Sequence, residues 1–170
     1  MNKNNNKSTN KKINIIRIIL IVLITINCLT IFDFSGQNGT VSGEISKKVT
    51  IDFLKVIGIV NENEENILIV EKVIRKIAHF SIYTLLGILL MCFAKTYDMP
   101  DKKRVAFCTL YVIIFASLDE FHQSFTPGRN PSVVDVFIDT IGALTGMTLI
   151  LIIFKVKEMK STDTKALKNN

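Results

Sequence analysis

Four long apolar runs, kept apart by charge, constrain this chain more than any other feature. A hydrocarbon core about 30 Å thick takes about 20 apolar residues of helix to cross. In lipid the backbone must satisfy its own hydrogen bonds, so a crossing run of this kind is helical. The first run covers 13–32 and is interrupted only by Arg17 and a few small polar groups. The second covers 77–94, with His79 near its start. The third, 105–118, reaches span length only if its helix continues through 119–125. The fourth covers 133–154 and carries Asp135 and Asp139 in its first two turns. The chain is 48% hydrophobic and 21% charged, and the two classes are segregated rather than interleaved. Its 170 residues fit one domain. The expected fold is therefore all-α: an integral membrane protein with about four transmembrane helices at 13–32, 77–94, 105–125 and 133–154.

Net charge is +6, but its placement argues for membrane topology and against nucleic acid. Lys3, Lys7, Lys11 and Lys12 precede the first run; Lys95, Lys102, Lys103 and Arg104 join the second to the third. Lys155, Lys157, Lys160, Lys165 and Lys168 follow the fourth, whereas the connection between the third and fourth holds only Arg129. By the positive-inside rule both termini read as cytoplasmic. The connection 33–76 conflicts with that reading, since it carries six Lys or Arg and still falls outside. No basic surface interleaved with aromatics is present, and the chain has no Trp. Residues 1–12, rich in Asn and Lys, read as a disordered tail, and 155–170 as a second basic tail. The first run is long for a signal peptide, and no small-x-small cleavage site follows it, so it reads as a retained anchor. Cys28, Cys92 and Cys108 all lie in apolar runs, an odd number that argues against a disulfide framework.

The outer connection 33–76 carries its own pattern. Ile45, Val49, Phe53, Val56, Ile57 and Val60 recur at helical spacing with charges between them, which predicts an amphipathic helix lying in the interface. A shorter one is expected over 64–76, with Ile67, Val70, Ile74 and Ile77 on one face.

Chemistry concentrates where the third run ends. Asp119, Glu120, His122, Gln123 and Ser124 are followed by Pro127-Gly128, a turn that delivers Arg129. At 100° per residue Asp119, His122 and Gln123 share one face, with Glu120 beside it. Ser132-Val133-Val134-Asp135 has the spacing of a capping box for the fourth helix. Asp135, Asp139, Gly142 and Gly146 then form one stripe, polar at one end and bare at the other. Gly142 and Gly146 make a small-xxx-small pair suited to close helix approach. Lys76, His79, Tyr83 and Gly87 form a matching stripe on the second helix. Polar groups at membrane depth face protein or water, so these stripes and the end of the third helix are expected to build one polar pocket under the outer surface. Taken singly, Asp135 reads as a helix cap, His79 as an interfacial histidine, Arg129 as a snorkelling charge and the glycines as packing residues. Two His and several carboxylates would suffice for zinc, yet the chain has no HExxH and no His pair at i, i+4, and the reading assigns neither metal nor cofactor. A Gly-x-Ser-x-Gly elbow and a Walker phosphate loop are also absent.

Three blocks together resemble the VanZ-like family: Lys76-x-x-His79-Phe80-x-x-Tyr83-x-x-Leu86-Gly87; Asp119-Glu120-x-His122-Gln123-x-Phe125-x-Pro127-Gly128-Arg129; and Ser132-x-x-Asp135 with Gly142 and Gly146. Phe34-Ser35-Gly36-Gln37, with Ser42 and Ser46, is similar to the start of the family's outer segment. Asp139 departs from the pattern, standing where many members carry Asn. The resemblance implies a small multi-span membrane protein. The family's namesake is linked to low-level resistance to teicoplanin, a lipoglycopeptide that binds cell-wall precursors.

Three functions follow as expectations. In the first, a non-enzymatic bacterial envelope protein binds an amphiphile in the outer pocket: a lipid-linked wall precursor, an anionic headgroup or the lipoglycopeptide. Arg129 and Lys76 would hold its phosphate or carboxylate. In the second, a membrane enzyme uses Glu120 or His122 as general base. In the third, the polar residues only hold the helices together. Membrane lipid is the expected partner in each.

Overall fold

The computed structural model describes residues 3–36, 48, 51–52, 64–127 and 131–168. Among them are four long helices and no strand: α1 (Lys3–Gly36), α2 (Glu64–Ala94), α3 (Asp101–Gln123) and α4 (Val133–Lys168). Each contains a stretch long and apolar enough to cross a membrane, at Asn10–Gly36, Lys72–Ala94, Asp101–Gln123 and Val133–Thr162. The protein is thus an all-α, multi-pass membrane protein.

Every helix outruns its apolar run. α1 begins at Lys3 and takes in most of the tail read from sequence as disordered, and α4 continues to Lys168 through the second basic tail. The segment 64–76, expected as a separate interfacial helix, is the first part of α2 and enters the span without a break. The amphipathic segment 45–60 lies outside the described residues except for Lys48, Ile51 and Asp52, which are helical. The third span reaches its length in the anticipated way, by carrying the polar residues Asp119 to Gln123 inside the helix. Pro100 stands at its N-cap in an extended conformation, where a missing N–H costs nothing because the first amides of a helix have no intrahelical partner.

The tightest pairing is α2 against α4, and glycine makes it possible. A Cβ on Gly87 would stand 2.1 Å from the Ala143 carbonyl oxygen, one on Gly146 2.1 Å from that of Thr84, and one on Gly142 2.6 Å from that of Phe80. The two backbones therefore touch, as small residues allow in membranes, where van der Waals packing does much of the work of association. α3 completes the core with Cys108, Val112 and Ala116, which meet Tyr83, Leu86 and Met147. α1 is the most peripheral helix. It buries Asn27, Ile31 and Ser35 and turns Ile18, Ile26 and Leu29 outward, a surface suited to lipid. The three cysteines are free thiols.

The bundle has two unlike ends. One holds the short connection 95–100 between α2 and α3, beside Arg17 of α1 and Phe154 of α4. The other holds the end of α1, the first turns of the α2 and α4 spans, and the end of α3.

Candidate functional site: a polar cluster at one end of the bundle

Polar side chains from all four helices meet at that second end. α3 contributes Asp119 and Gln123, both buried. One carboxylate oxygen of Asp119, Oδ2, accepts from Ser35 Oγ of α1 at 2.9 Å, from Gln123 Nε2 at 3.3 Å and, at 3.5 Å, from Tyr83 Oη of α2. Gln123 Nε2 also donates to Ser35 Oγ at 3.2 Å. Oδ1 of Asp119 is buried with no hydrogen-bond partner among the described residues. α4 contributes Asp139, also fully buried, and neither of its carboxylate oxygens is hydrogen-bonded to any of the described residues. The nearest cationic candidate is His79 of α2, whose Nδ1 lies 3.7 Å from Asp139 Oδ2, beyond hydrogen-bond length. The His79 ring lies roughly parallel to that of Tyr83, with centroids 6.4 Å apart.

Lys76 and Asp135 form the rim, one step outward on α2 and α4. Their ion pair is 2.6 Å long, with side chains 48% and 30% exposed. His79 links rim and interior, its side chain 17% exposed. The stripes Lys76–His79–Tyr83–Gly87 and Asp135–Asp139–Gly142–Gly146 thus face each other, polar group to polar group at the rim and glycine to backbone further in.

Other residues expected in the pocket have different work. Glu120 turns to the start of α4, where its Oε2 accepts the Ser132 backbone N–H at 2.7 Å. Ser132 Oγ in turn accepts the Val134 N–H at 3.2 Å. The sequence spacing assigned the return contact of this cap to Asp135. Glu120 supplies it instead, because Asp135 is drawn to Lys76. Glu120 therefore ties the end of α3 to the beginning of α4. His122 faces α1: its ring stacks on Phe32 with centroids 4.0 Å apart, and its Cε1 would lie 3.1 Å from a Cβ on Gly36. Its Nδ1 is buried without a hydrogen bond. Arg129 lies outside the described residues.

Ser35 is the site residue that the apolar and charge patterns did not single out. It is fully buried and gives Asp119 its shortest hydrogen bond. Its only signal was its place in the Phe34-Ser35-Gly36-Gln37 stretch. The sequence reading also assigned no metal, on the grounds that the chain has no HExxH and no His pair at i, i+4. His79, Asp119 and Asp139 come from three different helices, yet they offer ligand atoms that all lie within 4.8 Å of one another.

Two open apolar grooves, of about 250 and 390 Å³, lie at the opposite end of the bundle, one between α2 and α3 near Phe93 and Tyr111, the other beside Leu20 and Phe154. Neither includes a residue of the polar cluster.

Neither the curated proteins nor the solved structures hold a significant match to the chain. The family model for VanZ/LLP1 matches residues 18–155, a stretch that reaches into all four spans and contains every member of the polar cluster, and the chain belongs to that family.

Proposed function

We propose that the polar end of this bundle faces the outside of the cell membrane and binds the headgroup of an amphiphilic envelope molecule. The observation that carries the reading is the convergence of polar side chains from all four helices on one end of an otherwise apolar bundle. Such groups are expensive at membrane depth, and in membrane proteins they mark binding and transport sites. A lipid-linked wall precursor and a lipoglycopeptide both offer an anionic group alongside sugar hydroxyls or peptide amides. Lys76, and Arg129 from the following turn, suit the anion. Asp135 at the rim suits the donors, while Asp119 and Asp139 act from beneath through His79.

The other two readings draw less support. A general base needs free lone pairs facing a substrate, but Glu120 is engaged with the start of α4 and His122 is stacked against α1. A purely structural cluster would satisfy its own polar atoms, because a buried acceptor without a partner costs about 1–3 kcal/mol. Asp119 Oδ1 and both Asp139 oxygens lack hydrogen bonds.

The test is teicoplanin susceptibility of a sensitive Gram-positive host that expresses the wild type or Arg129→Ala, with membrane abundance matched by blot. Raised tolerance with the wild type, and none with the variant at equal abundance, is the expected result. Equal tolerance in both removes Arg129 from the reading. No change with either confines the family relationship to fold and moves the search to other wall or lipid phenotypes.

A further inference from the structure

We infer that His79, Asp119 and Asp139 form a binding site for one divalent transition-metal ion of the Zn²⁺ or Mn²⁺ type. The donors come from α2, α3 and α4, and their ligand atoms all lie within 4.8 Å of one another. Metal–ligand bonds of about 2.0–2.2 Å in a tetrahedral site place donors about 3.3–3.6 Å apart. Side-chain shifts of under about 1 Å at each donor therefore close the triangle.

A group of acids is not by itself a metal site. What points to a ligand here is the state of the lone pairs. Asp119 and Asp139 are fully buried, and three of their four carboxylate oxygens have no hydrogen-bond partner among the described residues. The one satisfied oxygen, Asp119 Oδ2, accepts from Ser35, Gln123 and Tyr83. That pattern belongs to a ligating carboxylate, one oxygen held by hydrogen bonds from neighbouring side chains and the other left for the ion. Two buried carboxylates a few ångströms apart repel each other strongly in a low-dielectric interior. A dication neutralises both at once, and a neutral His79 completes the set.

The donor set also narrows the ion. One imidazole and two carboxylates suit zinc or manganese, whereas calcium takes six to eight oxygens. Three protein ligands leave a coordination position for water or an incoming oxygen. The site stands on these residues alone and does not depend on the identity of any envelope ligand.

The full-length protein, without a histidine tag, is purified in detergent, stripped with EDTA, dialysed against Zn²⁺ or Mn²⁺ and desalted. Bound metal is then measured by plasma mass spectrometry. About one equivalent per chain is expected, with an unfolding temperature above that of the stripped protein. Asp119→Asn and Asp139→Asn each lower retained metal by about tenfold or more, while Asp101→Asn, at the start of α3 at the opposite end, keeps the full equivalent. His79→Gln supplies the same reading should either acid variant lose its helical circular dichroism. A folded wild type that retains neither ion overturns the site. So does metal that persists in the Asp119→Asn/Asp139→Asn double variant, which would place it elsewhere on the surface. An infrared band of a protonated carboxyl group that is present in the metal-treated wild type and lost in Asp139→Asn overturns it as well, because a proton would then be doing the work assigned to the ion.

Discussion

The two ends of the bundle solve the same problem in opposite ways. At the basic end Arg17, Lys95 and Arg104 each have somewhere to go. Arg104 donates to the Ala94 carbonyl at 3.2 Å and to that of Tyr97 at 2.8 Å, and it pairs with Asp101. Lys95 reaches the same aspartate at 2.9 Å. Arg17, the charge that interrupts the first apolar run, donates to the Thr96 carbonyl at 2.7 Å and to its hydroxyl at 3.1 Å, and lies 4.0 Å over the Tyr97 ring. These cations cover the carbonyls left open at the end of α2, where the helix dipole also favours them. The polar end instead gathers acids and leaves Asp119 Oδ1 and both Asp139 oxygens without a hydrogen bond among the described residues. Charges at the basic end anchor and terminate helices. At the polar end Glu120 ties α3 to α4 and Asp135 pairs with Lys76, whereas Asp139 makes no hydrogen bond to the described residues through either buried oxygen.

The largest expected effect tests whether the α2–α4 contact positions the polar end. Gly146→Ala drives a methyl group to 2.1 Å from the Thr84 carbonyl, a backbone atom that cannot swing aside. Overpacking typically costs 1–3 kcal/mol, and a backbone clash belongs at the top of that range, about 3 kcal/mol. The loss should appear as a lower unfolding midpoint in detergent and as lower abundance in membranes. Gly36→Ala is the contrast, since its new methyl meets only the edge of the His122 ring at 3.1 Å. Equal losses for the two would mean that close helix approach does not hold the site together.

Next in size is Arg17→Ala at the basic end. It removes charge-assisted hydrogen bonds to Thr96 and the cation–π contact with Tyr97, an expected cost of about 2 kcal/mol. Asp119→Asn at the polar end, measured in EDTA, should behave differently. It removes a buried charge and can keep an oxygen to accept from Ser35, so stability should hold or rise by about 1 kcal/mol while function falls. If Asp119→Asn destabilises the protein as much as Arg17→Ala does, the acids are structural and the contrast between the ends fails.

How far the sequence could be read follows the same division. The spans were legible because lipid imposes a length on apolar runs, and the α2–α4 seam because Gly142 and Gly146 recur at helical spacing with Asp135 and Asp139. Helix ends were less legible: charged tails do not end a helix once it is nucleated, so α1 and α4 run past their apolar residues. Within the site, spacing placed His122 on the face of Asp119 and Gln123, but periodicity carries no information about which neighbour a side chain meets. A residue at the edge of that face can turn to Phe32 instead. The cap of α4 was misassigned for a related reason. A local motif names the nearest acid, and Asp135 is claimed by Lys76, 59 positions away in the chain. The three candidate metal donors were invisible as a set because no two of them share a helix.

The smallest expected effect on stability carries the sharpest contrast with function. Lys76 and Asp135 form an ion pair of good length, but the lysine side chain is about half exposed. Exposed pairs contribute about 0–1 kcal/mol once solvent screening and lost side-chain entropy are counted. Lys76→Ala should therefore shift the unfolding midpoint by less than about 0.5 kcal/mol. On the binding reading it should nonetheless reduce any antibiotic tolerance conferred by the wild type, because it removes a rim cation and leaves the Asp135 carboxylate without it. Asp135→Asn separates the two contributions: it also breaks the ion pair but leaves the lysine free to meet an anion. Tolerance that survives Asp135→Asn and falls with Lys76→Ala assigns the rim to anion binding. Equal losses from both would mean that the pair matters as a pair, holding the mouths of α2 and α4 together, and the rim would then belong with the basic end as architecture.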